Sequence, residues 1–347
     1  MNKIFIILIL LFMHQTDAQY QVNSIHSKED DTFPIVSISD KKIEENINYY
    51  LHSTYLETVN VSSKNPFEKI IKKSESRTKY FHDFTVNKNT IPVFSLSLLT
   101  EYCGAYCEEY FEFANFDLSN GYVITIDDLI DQNKSKQLTQ ILNNKIRNEI
   151  SDFIKKMPKI NQINQQDIDY YNDQKEIYKD CLESIDLYQL SDNGFNYYIS
   201  NDSIYFQRGR CSNHASRALD ELGNFTYGFT KKEIEPFLSE YGKNLYGNQP
   251  RKMTDFKEKI FAGKIRKYPI KGVINQNNFG FYWYERFKQL IEIDFVYENQ
   301  EIIINEKDYN NNTTATFKLK QINNQFIGSW KKTNTKENFP VEIHFNF

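Results

Sequence analysis

Two segments of this 347-residue chain hold residue types that could do chemistry at short spacing. They are Cys103-Gly104-Ala105-Tyr106-Cys107 and Cys211-Ser212-Asn213-His214. The fourth cysteine, Cys181, stands apart from both. Cys103, Cys107, Cys211 and His214 together would make a Cys₃His set, suited to tetrahedral zinc. A thiol–disulfide enzyme would instead carry Cys-X-X-Cys at a helix N-terminus, where the helix dipole stabilises a thiolate. Here the spacing is longer and the neighbours read as strand. The third chemistry is structural: in an exported chain an even cysteine count reads first as two disulfides, with three pairings open for four cysteines. A Cys103–Cys107 bond suits an irregular loop but not a straight strand, where same-face positions four residues apart are roughly 13 Å from one another. The two-disulfide reading is preferred, with Cys103, Cys107, Cys181 and Cys211 all engaged.

Other catalytic signals are missing from the sequence. The six histidines include no His-X-His or His-Glu-X-X-His spacing, and there is no Gly-X-Ser-X-Gly elbow or phosphate-binding glycine loop. Acid pairs such as Glu44-Glu45, Glu108-Glu109 and Asp127-Asp128 read as solvated faces or helix caps. Two carboxylates make a glycosidase site only when held across a cleft. No catalytic residue, metal or cofactor is therefore expected. Aromatic runs are the remaining candidates, since Tyr and Trp join a large apolar face to a polar handle. Alternating aromatics mostly fill a sheet core, but Phe281-Tyr282-Trp283-Tyr284 breaks the alternation, so one side must face away from the core. Tyr106, Tyr282, Trp283 and Tyr284 are the expected ligand contacts.

The elements that position these residues can be read from hydrophobic period. Ile43, Ile47, Tyr50, Leu51 and Tyr55 share a helix face that Ser39 or Asp40 can cap. Residues 61–80 read as a charged loop. Val93, Ser95 and Ser97 alternate with Phe94, Leu96 and Leu98, which predicts a strand, and "EEYFEFANFD" predicts another. Asn120-Gly121 supplies a turn able to hold positive φ before "YVITI". Leu138, Ile141, Leu142, Ile146, Ile150 and Phe153 predict a long helix over about 135–157. Residues 158–176 read as a solvated loop, followed by strands at "SIDLYQL", "FNYYIS" and "SIYFQRG". Thr230 and Glu233 have reciprocal capping spacing, opening a helix that Pro236 either delays or kinks. After a joint at "YGNQPRKMTDF" the helical period disappears. Seven short strand-like runs follow, predicting an antiparallel meander, closed or nearly closed on itself.

Compartment is read from the first residues. Lys3, the apolar run Ile4–Met13 and Thr16-Asp17-Ala18 have the form of an export signal, too short to span a bilayer. A net charge of −4 gives no electrostatic reason to expect nucleic acid or an anionic membrane. The protein is expected to be periplasmic or extracellular, without membrane insertion after signal cleavage.

Residues 33–247 resemble a known family. The path runs through "SLSLLTEYCGAYC", "FANFDLSNGYVITIDDLI", a long helix, "YYISNDSIYFQRG" and a terminal helix. Its most specific marks are Phe116-Asp117-Leu118-X-X-Gly121 and Ile124-Thr125-Ile126-X-Asp128-Leu129. The chain is similar here to the extracellular domain of the lysozyme-sensing anti-sigma factor RsiV, a domain also found beside exported peptidoglycan polysaccharide deacetylases. The loop that commonly reads Gly-Gly-Ala-His in that family is Cys103-Gly104-Ala105-Tyr106 here, so no role of the histidine carries over. The resemblance implies an α+β binding domain without catalytic apparatus, and it would bring Cys211 near the small-residue loop to bond Cys103 or Cys107.

The expected architecture is an export signal over 1–18, a flexible arm over 19–38, and an α+β domain over 39–250, an antiparallel sheet with packed helices. An all-β domain, meander or barrel-like, follows over 262–347. The expected function is exported, non-catalytic binding in the cell envelope, with peptidoglycan, another glycan or a lysozyme-like protein as partner. The alternative is an envelope hydrolase or metal-dependent enzyme using a Cys/His or carboxylate site.

Overall fold

The computed structural model describes residues 20–26, 31–59, 79–104, 106–158, 164, 167–190, 194–253, 258–275, 278–323 and 325–345. The export signal, most of the charged stretch read as a loop, and residues 159–163 and 165–166 of the expected solvated loop lie outside those residues.

The described residues open with a hairpin of β1 (Tyr20–His26) and β2 (Thr32–Ile38), where the sequence suggests a loose arm. Phe33 and Val36 are fully buried, and Phe33 packs edge-on against Phe81 at 5.1 Å. Helix α1 (Lys41–Leu56) begins at Asp40, whose carboxylate accepts the exposed amides of Lys42 and Ile43. Strands β3 (Lys79–Asn87), β4 (Val93–Cys103) and β5 (Cys107–Asp117) form an antiparallel sheet. The alternating serines of β4 do not face solvent. Ser95 Oγ accepts from the Ile199 amide and from Asn87, and Asn115 accepts the same amide, so a polar ladder docks a second sheet.

Gly121 turns the chain with φ +77°, and a Cβ there would sit 2.6 Å from the Ile43 carbonyl oxygen, so only glycine lets this turn abut α1. Two helices follow, α2 (Ile126–Leu129), capped by a Thr125–Asp128 box, and α3 (Gln132–Lys156), which buries Leu138, Leu142, Ile146 and Ile150. Helix α4 (Ile168–Ser184) takes the second half of the stretch read as a solvated loop, and a 3₁₀ turn (Ile185–Leu187) stands where a strand was expected at "SIDLYQL". The polar sequence hides this helix because it buries only Gln174, Tyr178 and Cys181, a narrow stripe three and four residues apart. The second sheet comprises β6 (Asn196–Ser200), β7 (Ser203–Arg208) and β8 (Phe225–Phe229). The Thr230–Glu233 capping box forms as expected and opens α5 (Lys231–Ile234); a 3₁₀ turn carrying Pro236 follows, and the chain restarts at Ser239 as α6 (Glu240–Tyr246).

The last eight strands are β9 (Ile260–Ile265), β10 (Tyr268–Ile274), β11 (Phe279–Tyr284), β12 (Ile291–Glu298), β13 (Glu301–Lys307), β14 (Thr313–Ile322), β15 (Gln325–Lys332) and β16 (Asn338–Phe345). Each pairs antiparallel with the next, and β9 pairs with both β10 and β16, closing a barrel. Seven of the eight are visible as separate runs in the sequence. The eighth, β9, lacks alternation because adjacent Ile260 and Phe261 are both buried, Ile260 against the amino-terminal core and Phe261 in the barrel core.

The two cores meet through buried polar contacts. Lys259, fully buried, donates to the Asp128 carboxylate at 2.8 Å, and the Tyr50 hydroxyl donates to Glu258 at 2.7 Å.

Candidate functional site

The ends of β4 and β5 come together so that Cys103 lies opposite Cys107 in the ladder, and a disulfide joins them. The Gly104 amide donates to the Tyr106 carbonyl at 3.0 Å, tightening the tip. The second disulfide is Cys181–Cys211. This corrects the pairing implied by family resemblance, in which Cys211 would bond Cys103 or Cys107. Helix α4, invisible as a helix in the sequence, supplies the true partner. The zinc set is corrected with it: the sulfurs of Cys103, Cys107 and Cys211 are all in disulfides, leaving no thiolate to ligate a metal.

His214 nevertheless reaches the hairpin, by stacking. Its ring lies on Tyr106 with centroids 4.8 Å apart and planes 24° from parallel. Its Nδ1 is 3.5 Å from Glu108, which also accepts the Tyr110 hydroxyl at 2.6 Å and pairs with Arg210. Glu108 was expected on a solvated face, yet it is buried. Burial alone would raise its carboxyl; the bonds from Tyr110, Arg210 and His214 outweigh that and hold the pKa below the ordinary carboxylate range.

The loop that delivers Arg210 and His214 is fixed from below. Cys211 ties it to α4, and Asp220 accepts the Tyr178 hydroxyl and the amides of Ser212 and Gly223. On the same face of the hairpin, Tyr102 donates to Glu112 at 2.7 Å and meets Tyr110 edge-on at 5.9 Å. Tyr106 is 70% exposed, Tyr110 46% and Tyr102 40%, so three tyrosines stand out of a surface whose charged groups are already engaged. Of these, the cysteine motif pointed to Tyr106 alone. Tyr102, Tyr110, Glu108 and Arg210 were missed because their grouping needs strand register and a disulfide-held loop. Arg210, beside Cys211, was the signal available.

The other expected contacts lie elsewhere. Tyr282 and Trp283 are buried, which corrects their reading as ligand contacts. Tyr282 points into the barrel, while Trp283, on the outer face, is covered by Tyr49 of α1 at 5.3 Å. The broken alternation marked a strand buried on both sides. Tyr284 stays partly exposed at one barrel end.

A cleft of about 520 Å³ lies at the joint between α2, α6 and residues 250–252. Asp127, Asp128, Tyr241, Asn244, Arg251 and Lys252 are among its lining residues. Asp117, behind it, is gripped by Arg251 and by the Tyr241 hydroxyl, and Asp128 is held by Lys259. These charges pair with one another and brace the joint. Among the described residues no helix is long and apolar enough to cross a membrane.

No family model matches the sequence, and no curated protein matches it. Among solved structures, the chain is similar to a crystal structure of a member of the DUF3298 family from Bacteroides fragilis, at 14% identity and a TM-score of 0.37 over 64% of this chain and 94% of that one.

Proposed function

We propose that this is an exported, non-catalytic binding protein whose strapped β4–β5 hairpin recognises an envelope glycan such as peptidoglycan. The observation that carries the reading is Tyr106, 70% exposed yet fixed by a disulfide on one side and a histidine stack on the other. A rigid aromatic face loses little freedom on binding and offers the apolar surface that a sugar ring covers. Tyr102 and Tyr110 extend that face, and Glu112 and Glu108, which accept their hydroxyls, hold the two rings in place. Two disulfides suit an oxidising compartment outside the cytosol.

The test is co-sedimentation of the purified chain with peptidoglycan sacculi, beside calorimetric titration with lysozyme. Saturable sedimentation, weakened at least tenfold by Tyr106→Ala with no release of soluble fragments, supports the proposal. Binding to lysozyme alone replaces the glycan by a protein partner. Release of muropeptides replaces binding by hydrolysis.

A further inference from the structure

A second group of side chains, in the barrel, is unrelated to the hairpin. Glu306 on β13 points inward and is only 7% exposed. One carboxylate oxygen, Oε1, accepts both the Tyr282 hydroxyl at 2.5 Å and the Trp330 indole N–H. Oε2 takes no hydrogen bond, and no lysine, arginine or histidine pairs with Glu306, among the described residues. Lys307, its neighbour in sequence, turns outward to Asp294 at 2.8 Å. A buried carboxylate with two neutral donors and no counter-charge is costly, and natural structures pair such a group with a cation.

The surroundings say which kind of cation. Glu306, Tyr284, Trp330 and Phe339 all lie near the same end of the barrel, where β11, β13 and β15 finish and β16 starts. Tyr284, Trp330 and Phe339 are each partly exposed and pack on the barrel core. Trp330 and Phe339 are parallel, with centroids 5.4 Å apart, and the guanidinium of Arg266 already sits 4.3 Å over Phe339. Tyr284 meets the rings of Tyr268 and Phe287 edge-on, at 6.5 and 6.4 Å. Aromatic faces around one carboxylate are the chemistry that recognises an organic ammonium, which gains from ring quadrupoles and charge together. A hard metal ion would need several oxygens, and this site offers one carboxylate among rings.

We infer that the barrel mouth binds a small organic ammonium group, its charge on Glu306 Oε2 and its carbon atoms against Tyr284 and Trp330. The Trp330 indole N–H reports on the site because it donates to the same carboxylate. The experiment follows that proton in ¹H–¹⁵N spectra of the full chain during titration with n-butylammonium chloride, and separately with n-butanol as the neutral isostere. The chain has only two tryptophans, and the Trp283→Phe spectrum assigns the resonance. Expected is a saturable shift with the amine, at least tenfold weaker with the alcohol. Glu306→Gln keeps an oxygen for Tyr282 and Trp330, so the barrel should fold, and it should weaken amine binding at least tenfold. Tyr284→Leu, on the partly exposed rim, should weaken it severalfold. No shift with the amine, an equal shift with the alcohol, or affinity unchanged in both variants would overturn the proposal. Glu306 would then be an internal polar plug shared by two ring donors.

Discussion

The two halves of the molecule solve the same problem, exposed strand edges, by different means. Among the described residues the amino-terminal half divides eight strands among sheets of two, three and three, and both disulfides lie there. The carboxy-terminal half joins its eight strands into one closed barrel, which leaves no free edge, and the sequence places no cysteine in it. Covalent bracing is found in the half whose strands do not close on themselves, at the tip of the β4–β5 hairpin and between α4 and the 209–224 loop. Exposed aromatics stand in both halves, Tyr106 and Tyr110 on the hairpin and Phe287 and Tyr309 in the barrel.

The largest effect should come from breaking the join between the halves. Lys259→Met leaves Asp128 buried without its cation and should cost roughly 3–5 kcal/mol in urea unfolding. A loss below about 1 kcal/mol would mean that the Thr125 capping bonds already satisfy Asp128.

Replacing Cys181 and Cys211 by alanine opens a connection between residues 30 apart in sequence and should cost about 3–4 kcal/mol on loop-closure grounds. The comparison sharpens if hydrogen exchange quickens in α4 and the 209–224 loop while β10–β16 keep their protection. Equal loosening of the barrel would show that the halves fold as one unit.

Acid should act on the amino-terminal half through one buried histidine. His52 of α1 is buried, and burial holds its pKa down to about 3 from 6.5. Between those values the unfolded chain binds a proton that the native imidazole refuses, so stability falls as pH falls. Going from pH 7 to pH 4 should cost about 3 kcal/mol through this one residue. His52→Leu should flatten the slope of stability against pH in that window, and an unchanged slope would assign the acid sensitivity to carboxylates instead.

The smaller strap should matter less for stability. The Cys103–Cys107 bond closes only a short loop, so removing it should cost about 2 kcal/mol. Tyr106→Ala, at a mostly exposed ring, should change stability by less than about 0.5 kcal/mol. A thermal melt that drops sharply in Tyr106→Ala would make the ring a structural prop for His214 rather than a contact surface.

Hydrophobic period and capping chemistry carried much of the architecture. The α1 start at Asp40, the α3 stripe, the Thr230–Glu233 box and the meander of short strands all follow from local preferences that their own residues express. Period failed where burial came from a distant partner. Helix α4 has too narrow an apolar stripe to show itself, and β9 and β11 are buried on both faces, so alternation marks neither face as exposed.

The sequence by itself determined the α+β-then-all-β order and the inventory of reactive groups, because composition and short-range spacing depend only on neighbouring residues. The tertiary structure alone decided that Cys211 meets Cys181, that Trp283 lies under α1, and that Glu306 stands in the barrel with two donors and no cation. Each depends on residues many positions apart meeting at a fixed distance. Packing sets that distance, and no local preference encodes it.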